Sequence, residues 1–335
     1  MNWNRNRLWI GLLVLLSLPL PLWGQRIIRW ENRAYRSEGD RLVVQGHGAL
    51  QSGDPLGAIA AWKQANGYYQ RVNDQLSYAR TLALIADTYT KLRSNDEATR
   101  QYFGQLRFAN TLGDIGAKVV SLNQLSRLAL RADNANQALI YSGAALRIAE
   151  PLRLNLGTAD ALLTRGQIAA RHGQTLQALR LYYASIPLRY PVGDRRGEGY
   201  TYLLSGDAQL EQEDYRNAVL DYGMALSTGK ILQDLTLMAL ASDRLIGAYL
   251  QQPRPNEFRV EDLLQNRTSI ALVQKDIPTA IASQQFLGDL YQELGSIAKA
   301  RLAYQQAYDL AISQRDLLIQ RQLYFRLRQL ERDYP

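Results

Sequence analysis

The most regular feature of this sequence is a pattern of apolar, small and polar positions that returns every 40 positions. Alanine occupies one position of the pattern five times in succession, and once more about two periods later. These alanines are Ala58, Ala98, Ala138, Ala178, Ala218 and Ala300. Self-similarity at such a period indicates a repeat architecture rather than a globular domain with one central core.

Other positions keep the same register. A small residue stands twelve positions before each alanine, and a large aromatic residue usually stands four positions after it. The small residues are Gly46, Ala86, Ser126, Gly166, Gly206 and Gly288, and the aromatic residues are Trp62, Tyr102, Tyr182, Tyr222 and Tyr304. Polar turn segments such as Gly53-Asp54 separate the small residue from the alanine. The pattern predicts two antiparallel helices in each period, close together at the small positions, with the aromatic ring beside them.

Aspartate and asparagine mark the start of each predicted helix pair. Asp74, Asp114, Asp194, Asp234 and Asp316 keep the register, while Asn155 and Asp276 are displaced by one or two positions. An oxygen of such a side chain accepts a hydrogen bond from the unpaired backbone N–H groups at a helix N-terminus. We therefore predict that these residues cap the first helix of each pair.

Together these columns resemble the tetratricopeptide repeat (TPR) family, over most of the chain from about Gly39 onward. The period is 40 residues instead of about 34, and leucines such as Leu42 and Leu82 stand where the family has a tryptophan. We predict seven repeats, which begin near residues 39, 79, 119, 159, 199, 239 and 281, followed by a capping helix over residues 317–333. The repeat near 239 is degenerate, since prolines lengthen its turn. The resemblance implies an all-α fold, a right-handed superhelical solenoid that comprises residues 39–335, with a concave groove lined by the first helices.

Composition excludes several classes of enzyme. The chain has no cysteine and two histidines, so it holds no disulfide, thiolate zinc site or cysteine nucleophile. No phosphate-binding loop, serine-nucleophile motif or paired-histidine zinc motif occurs in the sequence. We expect no enzyme activity, no metal and no cofactor. The net charge of +8 permits contact with anionic surfaces, but no nucleic-acid-binding motif accompanies it, and we expect no nucleic-acid partner.

Residues 1–24 are typical of a signal peptide or a signal anchor. Arg5 and Arg7 precede the apolar run Leu8–Trp23, which is shorter than the roughly 20 residues of a spanning helix. Gly24 then offers a small residue for cleavage. These features favour export to a periplasm or lumen.

Residues 25–38 form a predicted basic lead-in helix that favours the other topology. Its arginines, Arg26, Arg29, Arg33 and Arg36, fall on one helical face. Positive charge after an apolar run favours retention on the cytoplasmic side. The alternative to export is therefore an uncleaved anchor with the rest of the chain in the cytoplasm and residues 1–36 in contact with the membrane.

The candidate partner-binding residues follow from the implied groove. Spacings of four positions along the first helices select Lys91, Asn123, Arg127, Arg131, Arg171, Asp207, Glu211, Asp289 and Glu293. The groove is then basic in repeats two to four and acidic towards the C-terminus, and the basic part fits an acidic segment of a partner. The competing interpretation is that these charges lie on solvated helix faces.

The sequence therefore predicts a non-catalytic scaffold or adaptor that binds a protein partner in its groove. The resemblance to repeat proteins that carry an N-terminal membrane-targeting segment further implies a role in the assembly of a membrane-associated complex. The alternative is an accessory regulator that binds a small ligand or a peptide signal. An enclosed pocket with convergent polar groups would favour the regulator, and a long open groove would favour the adaptor.

Overall fold

Helices form almost all of the part of the chain that the structure describes. The computed structural model describes the backbone of residues 22–334 and the side chains of residues 30–334. Fifteen α-helices and one short 3₁₀ helix (Tyr190–Val192) follow one another, and these residues contain no strand. The α-helices are α1 (Leu22–Gln51), α2 (Pro55–Arg71), α3 (Gln75–Lys91), α4 (Asn95–Leu112), α5 (Ile115–Arg131), α6 (Ala135–Ala149), α7 (Asn155–Arg171), α8 (Thr175–Arg189), α9 (Arg195–Glu211), α10 (Tyr215–Leu232), α11 (Leu235–Leu250), α12 (Glu257–Val273), α13 (Ile277–Glu293), α14 (Ile297–Ser313) and α15 (Leu317–Asp333). Odd-numbered helices are the first helices of the repeats, and even-numbered helices are the second helices.

The chain divides into two compact units, one ending at Leu128 and the other beginning at Ala129. In the first unit, α1 to α4 pack each against the next, and in the second unit α6 to α15 do the same. First helices of the second unit also contact each other, α7 with α9 and α9 with α11. The predicted degenerate repeat is the pair α11 and α12, joined by the longer connection 251–256. The succession of helix pairs confirms the predicted all-α repeat fold.

Short turns with one left-handed residue reverse the chain between helices. A typical turn is Val72-Asn73-Asp74, in which Asn73 has φ of 55° and Asp74 caps the next helix. From position 53 to position 233, the residues of positive φ are spaced at half of the sequence period. They are Gly53, Asn73, Arg93, Gly113, Asp133, Arg153, Gly173, Gly193, Glu213 and Gln233. Because a left-handed residue ends a helix, each helix with its turn takes half a period, and one period holds two helices.

The predicted aspartate caps are confirmed. Asp74, Asp194, Asp234, Asp276 and Asp316 each accept a hydrogen bond from a backbone N–H in the first turn of the following helix. Asp114 accepts one from the backbone N–H of Ala117 at 2.9 Å. The prediction for Asn155 is wrong, because Leu154 occupies the cap position of α7 and Asn155 is its first helical residue.

The small and aromatic columns hold the two helices of a pair together, as predicted. A Cβ atom added to Gly206 would lie 2.5 Å from Cε1 of Tyr222, so only glycine allows this approach. The same contact recurs between Gly46 and Trp62, between Gly166 and Tyr182, and between Gly288 and Tyr304. All six alanines of the repeated column are fully buried. The columns are therefore packing positions.

The N-terminal helix differs from the prediction. α1 continues past residue 38 without a break, so the predicted lead-in helix and the start of the first repeat are one helix. Arg33 and Arg36 are exposed, and Nε of Arg36 lies 3.2 Å from the carboxylate of Asp74. The side chains of Arg26 and Arg29 lie outside the described residues. The predicted signal segment, residues 1–24, also lies outside them, except for the backbone of its last three residues in α1.

A buried arginine joins three helices in the second unit. Arg189, at the end of α8, is 2% exposed, and its Nη2 donates to Asp160 of α7 at 2.9 Å. Its Nη1 donates to Asp194, the residue that caps α9. Two carboxylates thus compensate the buried guanidinium, which a buried charge requires.

Candidate functional site

In each unit the first helices form a surface, which we call the first-helix face, and several of these helices end in one exposed charged residue. In the second unit this exposed column consists of Arg131 of α5, Arg171 of α7, Glu211 of α9 and Glu293 of α13. Its charge changes sign between Arg171 and Glu211. Lys91 occupies the equivalent position on α3 in the first unit and is also exposed. Five of the nine sequence-predicted residues thus stand at exposed helix ends.

A small pocket lies between two of these helix ends. It has a volume of about 240 Å³, and α7 and α9 line it with Gln167, Arg171, Asp207 and Glu211. Tyr182 of α8 also lines the pocket, and burial raises the pKa of its phenol, with a further contribution from the charges of Asp207 and Glu211. Tyr182 is therefore a neutral group below a charged rim.

Arg171 has a fixed position at the edge of this pocket. Its Nη1 donates to the carbonyl oxygen of Leu130 at 2.7 Å and to the carboxylate of Asp133 at 3.2 Å. About half of the Arg171 side chain is exposed (49%), and Asp133 is almost fully exposed (94%). Because water screens such an exposed pair, Asp133 neutralises the guanidinium of Arg171 only weakly. Arg171 therefore still contributes a positive charge to the surface.

One turn before the exposed column, aspartates on the first helices bind tyrosines of the second helices. Asp207 accepts a hydrogen bond from the hydroxyl of Tyr222 at 2.7 Å, and Nε of Arg244 on α11 donates to the same oxygen at 2.6 Å. Asp289 of α13 likewise accepts hydrogen bonds from the hydroxyl of Tyr304 and from the guanidinium of Arg326 on α15. The first unit holds a related pair, in which Tyr102 donates to Asp87.

Burial and the neighbouring carboxylate keep these tyrosines protonated. Burial raises the pKa of Tyr304 to about 12, the hydrogen bond to Asp289 acts in the same direction, and Arg326 opposes both effects. The pKa of Tyr222 is raised well above its ordinary value by burial and by Asp207. Each phenol therefore remains a hydrogen-bond donor that holds its aspartate in place.

These contacts correct part of the predicted site. Asp207 and Asp289 were expected as acidic groove residues. Both aspartates are partly buried, and Arg244 and Arg326 compensate their charges. The expectation for Asn123 is also wrong, because its side chain is only 2% exposed and faces the interior.

The remaining cations stay candidates. Arg127, in the first unit, is partly buried, whereas Lys91, Arg131 and Arg171 are exposed. That these four cations act together on one partner remains a prediction.

Sequence reasoning missed the two arginines that complete the aspartate–tyrosine contacts. Arg244 and Arg326 each lie 37 residues after their aspartate. This common spacing is visible in the sequence, but it is three residues shorter than the period of 40. Each arginine therefore lies on the next first helix, about one turn before the position that corresponds to its aspartate. A search for charge pairs at slightly shifted spacing would have found both arginines.

The described part of the chain offers no sign of a metal centre or a membrane span. Within residues 30–334, no group of three or more histidine, aspartate or glutamate side chains is placed to hold a metal ion. None of the helices in the described region is sufficiently long and apolar to cross a bilayer. The candidate site consists of the charged side chains and tyrosines described above.

The helix pairs, their packing columns and the charged first-helix face define a TPR-like helical repeat protein. No protein-family model matches the sequence, and no curated protein is significantly similar to it. Solved structures show the fold. A STAND protein (signal transduction ATPase with numerous domains) with a tetratricopeptide repeat sensor from Pyrococcus horikoshii is 16% identical, with a TM-score of 0.62. The match covers 88% of this chain but only 46% of that protein.

Two further structures are similar over most of both chains. Aspartyl phosphate phosphatase F from Bacillus subtilis is 13% identical, with a TM-score of 0.60, and the match covers 86% of this chain and 73% of that one. The apo form of the quorum sensor NprR from B. thuringiensis is 13% identical, with a TM-score of 0.59, and the match covers 85% and 81%. At such identities the likeness establishes the fold alone.

Proposed function

We propose that this chain is a non-catalytic adaptor that binds a segment of a protein partner on its first-helix face. The observation that carries this proposal is the exposed column at the ends of the first helices. Glutamate at the C-terminus of a helix is opposed by the helix dipole, at a cost of about 0.3–1 kcal/mol. Glu211 and Glu293 stand in that unfavourable position without serving the packing. A role in binding accounts for them.

The change of sign along the column supports a partner segment of mixed charge. A segment that lies along the second unit meets Arg131 and Arg171 first and Glu211 afterwards, so it carries carboxylates followed by basic side chains. Charges of this kind mainly accelerate association and select the correct partner. The structural neighbours described as a repeat sensor and as a quorum sensor support a binding role for this fold.

The test reverses the local polarity without a change in net charge. The tagged full chain, wild type or with Arg171→Glu and Glu211→Lys together, captures partners from membranes, and mass spectrometry identifies them. Arg180→Glu with Glu150→Lys is the matched control, because both residues are exposed and lie outside the pocket.

We expect the wild type and the control to capture the same protein and the polarity-reversed variant to capture at least fivefold less. Capture should also weaken as the salt concentration rises, because salt screens exposed charges. Equal capture by both double variants would place recognition elsewhere.

We further propose that the protein works at a membrane and that its partner belongs to a membrane-associated complex. The support is the apolar segment of residues 1–24 with the basic residues that follow it. Export predicts a mature N-terminus at or near Gln25, which N-terminal sequencing of the purified protein detects. A membrane-bound protein that begins at Met1 would favour the anchored topology.

A further inference from the structure

A cleft lies on the second-helix face, the surface that α12 and α14 form on either side of α13. The cleft has a volume of about 770 Å³, within the range of ligand-binding pockets. Leucines line the floor and walls: Leu272, Leu287, Leu302 and Leu310. Polar side chains stand among them, including Gln265, Gln284 and Gln306.

A comparison with one earlier stack in the same register shows which side chains differ at the cleft. The shift along the chain that relates Ala218 to Ala300 also relates the stack α8–α10 to the stack α12–α14. In the earlier stack, Asp221 is buried and accepts hydrogen bonds from Tyr183 at 2.8 Å and from Ser205 at 2.6 Å. This polar network fills the space above α9.

In the later stack the corresponding residues cannot form that network. Ala303 stands in the position of Asp221, Gln265 in that of Tyr183, and Leu287 in that of Ser205. The loss of the carboxylate and the tyrosine ring opens the space, and the leucine makes its floor apolar. The cleft therefore distinguishes this stack from the earlier one, in which the polar network takes the same place.

Charges at one end of the cleft are already paired. Glu261 accepts a hydrogen bond from the hydroxyl of Tyr291 at 2.7 Å and another from Nζ of Lys299 at 3.2 Å. Lys299 also lies over the ring of Tyr291, 5.0 Å from its centroid. At the other end, Asp309 accepts a hydrogen bond from Gln305 at 2.9 Å. The middle of the cleft is neutral, with amide groups that both donate and accept.

The dimensions favour an extended chain. Lys299 and Leu310 of α14 are eleven positions apart, which corresponds to about 16 Å along a helix. An extended segment of about five residues spans that length. A helix satisfies its own backbone N–H and C=O groups, whereas an extended chain offers them to the glutamine amides of the cleft.

We propose that this cleft binds a short extended peptide segment with leucine-sized side chains at alternate positions. Alternate side chains of an extended chain point the same way, so they reach the leucine floor together. The glutamine amides match the N–H and C=O groups of the peptide backbone. This site is separate from the proposed site on the first-helix face, and the test of one site does not depend on the result for the other.

The test is a displayed library of random heptapeptides, selected on the wild-type full chain. The counter-selection uses a variant that restores the polar network of the earlier stack, Gln265→Tyr with Leu287→Ser and Ala303→Asp. Selected peptides are synthesised with acetylated and amidated termini, and fluorescence anisotropy measures their dissociation constants. Circular dichroism checks that each variant is folded.

We expect selected peptides to carry apolar residues at alternate positions and to lose binding to the filled-cleft variant. Leu302→Gln, at an exposed residue of the cleft wall, should weaken binding about tenfold. This variant preserves the test if the triple variant does not fold. Ala298→Asp, at an exposed position of α14 outside the cleft, should leave binding unchanged.

Three outcomes would overturn the proposal: failure to select any peptide on the wild type, equal binding to a folded filled-cleft variant or to Leu302→Gln, or selection for charged residues without apolar alternation.

Discussion

Replacement of Gly206 by valine tests the packing on which the repeat depends. The added Cβ would lie 2.5 Å from the ring of Tyr222, far inside van der Waals contact. The ring is fully buried, and Asp207 holds its hydroxyl at 2.7 Å, so it cannot withdraw. The two helices must therefore separate.

The magnitude follows from the neighbouring repeats. In the pair α3–α4, Ala86 occupies the glycine position beside Tyr102, so a helix pair of this kind can be spaced to hold one methyl group. Valine adds two carbon atoms more than alanine does, so it needs more space than such a helix pair provides. Overpacking of a core typically costs about 1–3 kcal/mol. We expect Gly206→Val to lower the free energy of unfolding by about 3 kcal/mol, at the upper end of that range.

The matched control is Gly223→Val on α10, where an added Cβ meets no atom within 4 Å. Both substitutions exchange the same residues within a helix, so the difference in helix propensity largely cancels. Urea unfolding followed by circular dichroism gives the free energies from the midpoints. If the two variants unfold at the same urea concentration, the assignment of Gly206 as a close-packing position is wrong.

Three further predictions concern packing, pH and charge. Ala138→Trp should destabilise the fold by about 1–3 kcal/mol or more, because Ala138 is fully buried, whereas Arg332→Glu should have little effect in the same thermal melts. The pKa of Tyr304 is raised from 10 to about 12, so its contribution to stability is complete below pH 10 and is lost as the pH rises towards 12. Tyr304→Phe should therefore weaken the loss of stability at alkaline pH. An unchanged pH profile of stability would contradict this assignment. Arg131→Glu, at an exposed position, should leave the melting temperature nearly unchanged and weaken capture of the partner at low salt; unchanged capture would exclude Arg131 from the binding site.

The fold was predictable from the sequence because its determinants are local and repeated. Gly206 and Tyr222 lie close together in the chain, and the register repeats their separation in the other glycine–aromatic pairs. Asp194 and the other caps act within one helical turn. Such short-range relations leave a visible mark in a single sequence.

The candidate site was harder to predict, because small angular errors accumulate along a helix. A spacing of four positions turns a helix by about 400°, so each step moves the side chain about 40° around the axis. Asn123 and Arg131 therefore differ by about 80°, which places the former inside and the latter outside. The compensation of Asp207 by Arg244 was missed for a different reason, since it depends on the packing of one repeat on the next.

The contact of Arg326 with Asp289 also has a consequence for how the second unit should respond to mechanical load. It joins α15 to α13, and Leu323 and Leu330 of α15 are buried beside it. We expect a force applied at α15 to break this ion pair and expose both leucines when α15 detaches. Because ion pairs of this kind join only adjacent repeats, we expect the chain to extend under force in discrete steps. Each step would release one helix pair of about 40 residues, or roughly 130 Å of extended chain.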